Sequence, residues 1–244
     1  MTDPDEGWRV PAGRGGRTPA DVDLSRVWVG VAGQVWQRRP GRLEWLAGRL
    51  LRSPGLARAL VITPSLLLGW VVATAVVLAA GLAATLGTGT PYVALLAPAV
   101  AGAGIAYAYG PGIDPAWELS RSMAVSDRMV LLVRALAVFA LNAGLGVIAS
   151  AASGAAAAVT FGWLVPMTAV SALALAVATV ARSANVGVAA GVAGWAITVE
   201  SAQVASGQFT TAVTSSALVL PYLMVAAAGG AIAWFATRTS RGTS

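Results

Sequence analysis

The side chains that could do chemistry lie together in one short polar stretch of an otherwise apolar chain. The candidates are Asp114, Trp117, Glu118, Arg121 and Ser126. The carboxylates of Asp114, Glu118 and nearby Asp127 could supply oxygen ligands to a metal ion. We favour a different interpretation, in which Asp114 is the N-cap of a short helix that begins at Pro115. Ser126 is the candidate N-cap of the next membrane helix. No metal site is therefore predicted.

Three residue types that most active sites depend on do not occur in the sequence. Cysteine and histidine are absent, and all sixteen basic residues are arginine. A Ser–His or Cys–His nucleophile pair is impossible without them, and a zinc site loses its two commonest ligand types. A phosphate loop needs a lysine, so this chain cannot carry that ATP site. We expect neither an enzyme nor a bound cofactor.

The composition indicates an all-α membrane protein. Of 244 residues, 57% are hydrophobic and only 11% are charged, which is too apolar for a soluble domain. Residues 1–41 are predicted to be a disordered or peripheral segment, 42–58 an amphipathic interfacial helix, and 239–244 a tail. Between them, at 59–238, the hydropathy predicts six membrane spans. Their predicted bounds are 59–86, 92–109, 128–151, 155–181, 186–199 and 218–237.

The arginines predict which side of the membrane each loop occupies. Ten precede the first span, and the others lie in or beside the loops after the second, fourth and sixth spans. The remaining loops carry no arginine. The positive-inside rule therefore predicts a plasma-membrane protein with both termini in the cytoplasm. Anionic lipid headgroups are the expected partner of this positive charge, rather than nucleic acid.

Inside the predicted spans the informative residues are small or amide-bearing. Gly187, Gly191 and Gly194 follow one another at intervals of four and three, which predicts a helix face that packs closely against a neighbour. Asn142 and Asn185 are the polar exceptions. Each could form a hydrogen bond with a neighbouring helix or line a path through the membrane.

The polar stretch also carries a family resemblance. Asp114-Pro-Ala-Trp-Glu-Leu, then Val125-Ser-Asp-Arg and an apolar helix with Arg134, resembles the segment between the second and third spans of ABC-2-type transporter permeases. In that family a Glu-bearing coupling helix docks into a separate ATP-binding subunit. The resemblance extends to the six spans, the preceding amphipathic helix and a longer loop between the fifth and sixth. Ala124 stands where many members have proline.

The resemblance implies an exporter of a hydrophobic or amphiphilic substrate, working as a homodimer or heterodimer of permeases. The ATPase contacts would come from Asp114, Trp117, Glu118, Arg121 and Ser126. Two other functions stay open at this point. The chain could be a membrane-embedded regulatory or sensor subunit whose N-terminal segment does the work, or a small structural membrane protein.

Overall fold

The structure is a computed structural model that describes residues 64–108 and 127–239, together with a few separate positions between residues 26 and 49. The chain forms two compact units, Met1–Arg42 and Leu43–Ser244. In the first unit, Arg26 and residues 28–30 are helical. In the second, Trp45 and Arg49 are helical, and the Arg49 guanidinium lies 5.6 Å from the centre of the Trp45 ring. The rest of the predicted segments 1–41 and 42–58 lies outside the described residues.

Helices make up the regular structure of the described residues of the second unit. They are α1 (Pro64–Thr88), α2 (Tyr92–Tyr107), α3 (Asp127–Ala152), α4 (Ala157–Gly162), α5 (Leu164–Ala181), α6 (Ala184–Ser206), α7 (Thr211–Thr214) and α8 (Val219–Thr239). Five candidate membrane spans result, because α4 and α5 together form one and α1, α3, α6 and α8 supply the others. The shorter α2 is also apolar. The chain is an all-α membrane protein.

Helix α5 is the centre of the bundle. Half of the span that α4 and α5 form is buried inside the protein, against 17–28% for the other four long spans. The outer faces of the other helices expose large apolar side chains, such as Leu136, Ile148 and Val204. In a soluble protein such faces would be a liability, whereas in a bilayer they meet lipid. The bundle therefore has one enclosed helix and several that are covered partly by lipid.

Short connections fix which helices are neighbours. Only Arg182 and Ser183 separate α5 from α6, and only residues 89–91 separate α1 from α2. The backbone N–H of Tyr92, at the start of α2, donates to Thr85 Oγ1 of α1 at 3.1 Å. Connections of this length place consecutive helices side by side and antiparallel. The pairs α1–α2 and α5–α6 are therefore helical hairpins.

The fourth and fifth predicted spans differ from the observed helices. The fourth is broken at Trp163, because Pro166 has no N–H with which to continue a helix from α4 and is tolerated only in the first turn of α5. The fifth was predicted to end at residue 199, before Glu200, but α6 continues to Ser206. It ends where Gly207 adopts a left-handed φ of 71°, a conformation that glycine accepts without strain.

The connection between α6 and α8 folds back onto the bundle. Ala212 and Val213 of α7 are buried, and Tyr222 of α8 donates its hydroxyl hydrogen to the Ala212 carbonyl oxygen at 2.7 Å. A Cβ atom at Gly162 would lie 2.9 Å from the Val213 carbonyl oxygen, so α4 and α7 are in close contact. The predicted loop at 200–216 is therefore largely helical and packed.

Candidate functional site: the helices that flank residues 109–126

The residues predicted to contact a partner, Asp114, Trp117, Glu118, Arg121 and Ser126, lie outside the described residues. What the structure does describe is α2 and α3, which enter and leave that segment. Ile105 and Ala108, at the end of α2, belong to one buried apolar cluster with Leu131 and Ala135 of α3. Leu175 of the central helix α5 belongs to it as well. The two flanking helices are therefore joined to each other and to α5 where they adjoin the segment.

Two glycines let α2 approach its neighbours closely. A Cβ atom at Gly102 would lie 2.7 Å from the Val170 side chain of α5. A Cβ atom at Gly104 would overlap the Trp70 ring of α1. Larger residues at either position would push the helices apart. The C-terminal half of α2, next to residues 109–126, therefore packs closely on both α1 and α5.

Both asparagines make hydrogen bonds between helices. Asn142 of α3 is buried, accepts a hydrogen bond from Thr74 of α1 at 3.4 Å, and donates to the Val138 carbonyl oxygen at 2.7 Å. Asn185 of α6 is exposed and accepts a hydrogen bond from the Tyr107 hydroxyl of α2 at 3.3 Å. In both cases the geometry matches the first of the two alternatives, a link to a neighbouring helix.

One face of α6 packs on α5 through the predicted glycines. A Cβ atom at Gly187 would lie 2.6 Å from the Ala174 carbonyl oxygen, and one at Gly191 would lie 2.9 Å from the Ala174 Cβ atom. At Gly194 the nearest atom is the flexible end of Leu173, 3.1 Å away. The tightest contacts are therefore at Gly187 and Gly191.

Leucine at Gly191 is expected to weaken the bundle, whereas leucine at Val192 is not. The first change forces a side chain against Ala174, which cannot move without moving α5. Val192 is 40% exposed and has room for the change. Thermal unfolding of the two variants in detergent would show a lower midpoint for Gly191→Leu only. Equal midpoints would mean that the face is not tightly packed.

The same face of α6 carries a tryptophan that reaches α2. Trp195 is 4% exposed, and its indole N–H donates to the Leu95 carbonyl oxygen at 2.7 Å. Leu95 lies three residues before Pro98, which is inside α2 and fully buried. A proline in a membrane helix leaves carbonyl groups that neighbouring helices must satisfy, because no water is present. The carbonyl group that Pro98 leaves without its helical donor is that of Ala94, and Trp195 bonds the neighbouring carbonyl group of Leu95.

The chemistry available in the described helices is limited. In residues 64–108 and 129–237 the charged side chains are Arg134, Arg182 and Glu200. No group of three or more His, Cys, Asp or Glu side chains in the described part of the chain could hold a metal ion.

Some of the important contacts were not identified from the sequence. Pro98, Trp195, Gly102, Gly104 and Gly229 all make close contacts between helices. A proline within an apolar span was a usable signal, because it leaves the carbonyl group four residues earlier without its helical donor. Nothing in the sequence pairs the Leu95 carbonyl group with Trp195, which lies 100 residues further along the chain.

No family model matches the chain, and neither the curated proteins nor the solved structures contain a match to it. The class of protein is therefore inferred from the helices of this chain alone. With five candidate spans and a shorter apolar helix, the chain is a multi-pass membrane protein.

Proposed function

We propose that the chain is the membrane-spanning subunit of an ABC-2-type exporter, which works as a dimer with an ATP-binding subunit made by another chain. Residues 114–123 would form the coupling helix, with Trp117 as the apolar anchor and Glu118 as the charged contact. Asp114, Arg121 and Ser126 would complete or position the contact surface. A hydrophobic or amphiphilic substrate suits such apolar spans.

The observation that carries this proposal is how α2 and α3 enter the bundle. Both helices join the cluster of Ile105, Leu131 and Leu175, so a displacement of residues 109–126 would act directly on the central helix α5. Packed interiors transmit displacement because they have few voids to absorb it. A coupling element needs this mechanical connection to the rest of the spans.

The orientation of the chain can be tested with fused reporters. A reporter after Ser244 and another within residues 1–20 are both expected to report the cytoplasm, because the arginine-bearing segments lie on one side of the six crossings predicted from the sequence. A reporter within residues 207–210, between α6 and α7, is expected to report the other side. Equal signals from all three positions would rule out this topology and, with it, a cytoplasmic coupling helix.

The proposed contact predicts how two substitutions affect binding. Trp117→Ala and Glu118→Arg should each abolish co-purification of the proposed ATP-binding subunit, because one removes the anchor and the other reverses the charge. Expression and membrane insertion should stay near wild type. The milder Glu118→Gln is the control. If Glu118 only complements a helix dipole, both Glu118 variants cost a few tenths of a kcal/mol of helix stability and binding persists.

A further inference from the structure

Helix α2 carries a proline near its middle, and the two halves are held differently. On the side next to residues 109–126, Gly102 lies against Val170, and Tyr107 bonds Asn185. On the other side, the helix begins at a short turn, and its first N–H bonds Thr85 of α1. Pro98 separates the halves and cannot donate the hydrogen bond that would join them across its own position.

The Leu95–Trp195 hydrogen bond lies next to Pro98, where the backbone hydrogen bonding of α2 is interrupted. It joins a carbonyl group just before Pro98 to α6, and α6 is fixed to α5 one turn earlier, where Gly191 lies against Ala174. At 2.7 Å the bond is short, and both Trp195 and the neighbouring residues Val93, Ala94 and Ala97 are buried. A bond in this place resists bending of the first half of α2 away from α6.

We propose that α2 is hinged at Pro98 and that Trp195 is the latch that holds its first half, residues 92–97, against α6. Release of this bond would free residues 92–97 from α6 and leave their contacts with Gly81 of α1, while residues 101–107 stay packed on α1 and α5. Helices kink at prolines, and a bond from a neighbouring helix decides whether the kink is held or moves. The inference needs no ATPase and does not depend on the proposed transport function.

The test is hydrogen–deuterium exchange on the purified chain in detergent, comparing wild type with Trp195→Phe. Exchange of the amides between residues 93 and 99 should become roughly 3- to 20-fold faster, the range expected from losing one hydrogen bond between membrane helices. Exchange between residues 101 and 107 should change little. Trp163→Phe is the matched control, because Trp163 is fully buried and its indole N–H has no hydrogen-bond partner.

A uniform increase along the whole of α2, or no increase at all, would overturn the hinge. If Trp195→Phe fails to fold, Pro98→Ala answers the question instead. Alanine restores the missing N–H, so exchange between residues 93 and 99 should fall below that of wild type. An unchanged rate in Pro98→Ala would mean that Pro98 is not a hinge.

Discussion

Alanine at Gly229 is expected to destabilise the bundle, and alanine at the adjacent Gly230 is expected to stabilise it. A Cβ atom at Gly229 would lie 2.7 Å from the carbonyl oxygen of Ala172 and 2.8 Å from its carbonyl carbon. These are backbone atoms of the central helix α5, which cannot turn aside as a side chain can. Overpacking of this kind costs about 1–3 kcal/mol.

Gly230 offers a control one residue away. A Cβ atom there would meet nothing within 4 Å, and the residue is exposed. Because glycine is a poor helix former, Gly230→Ala should gain roughly 0.5–1 kcal/mol. Thermal unfolding in detergent should therefore move in opposite directions for the two variants. Shifts of the same sign would contradict the close contact between α8 and α5.

Phenylalanine at Trp195 is expected to cost about 1–2 kcal/mol of stability, because the hydrogen bond from the indole N–H to the Leu95 carbonyl oxygen is lost in an apolar interior. Phenylalanine at Trp163 removes an indole N–H that has no hydrogen-bond partner, so its polar contribution should be near zero or favourable. Both tryptophans are buried, so the loss of ring volume is similar.

A double substitution tests the reason for the Trp195 cost. In a Pro98→Ala background the new N–H can bond the Ala94 carbonyl group, so α2 is braced across position 98 and depends less on its bond to Trp195. Trp195→Phe should then cost clearly less than it does in wild type, and unfolding midpoints of the four proteins in the cycle would show it. An equal cost in both backgrounds would mean that Trp195 contributes packing alone.

The class and most of the spans could be predicted from the sequence, because long apolar segments leave few alternatives to membrane helices. The end of α6 was predicted wrongly at residue 199. The prediction treated Glu200 and the polar residues after it as loop, although Glu, Ala and Gln favour helices and Gly207 supplies the actual stop. The break at Trp163 was also missed, although Pro166 was a visible signal for it.

The contacts between helices were harder to predict than the helices themselves. The spacing of Gly187 and Gly191 predicted a close-packed face, and the structure places α5 against both. Which helix would lie there could not be read from one sequence, because any apolar helix satisfies the same pattern. The Leu95–Trp195 bond depends on the depth and rotation of two separate helices, which hydropathy does not determine.

The proposed coupling role of residues 109–126 is tested most directly by ATP hydrolysis in liposomes. The chain and the proposed ATP-binding subunit would be reconstituted together, with wild type and Trp117→Ala compared at equal protein content. The account predicts that wild type changes the hydrolysis rate of the ATPase and that Trp117→Ala leaves the rate at the value of the ATPase alone. An ATPase that responds equally to both proteins would contradict the account.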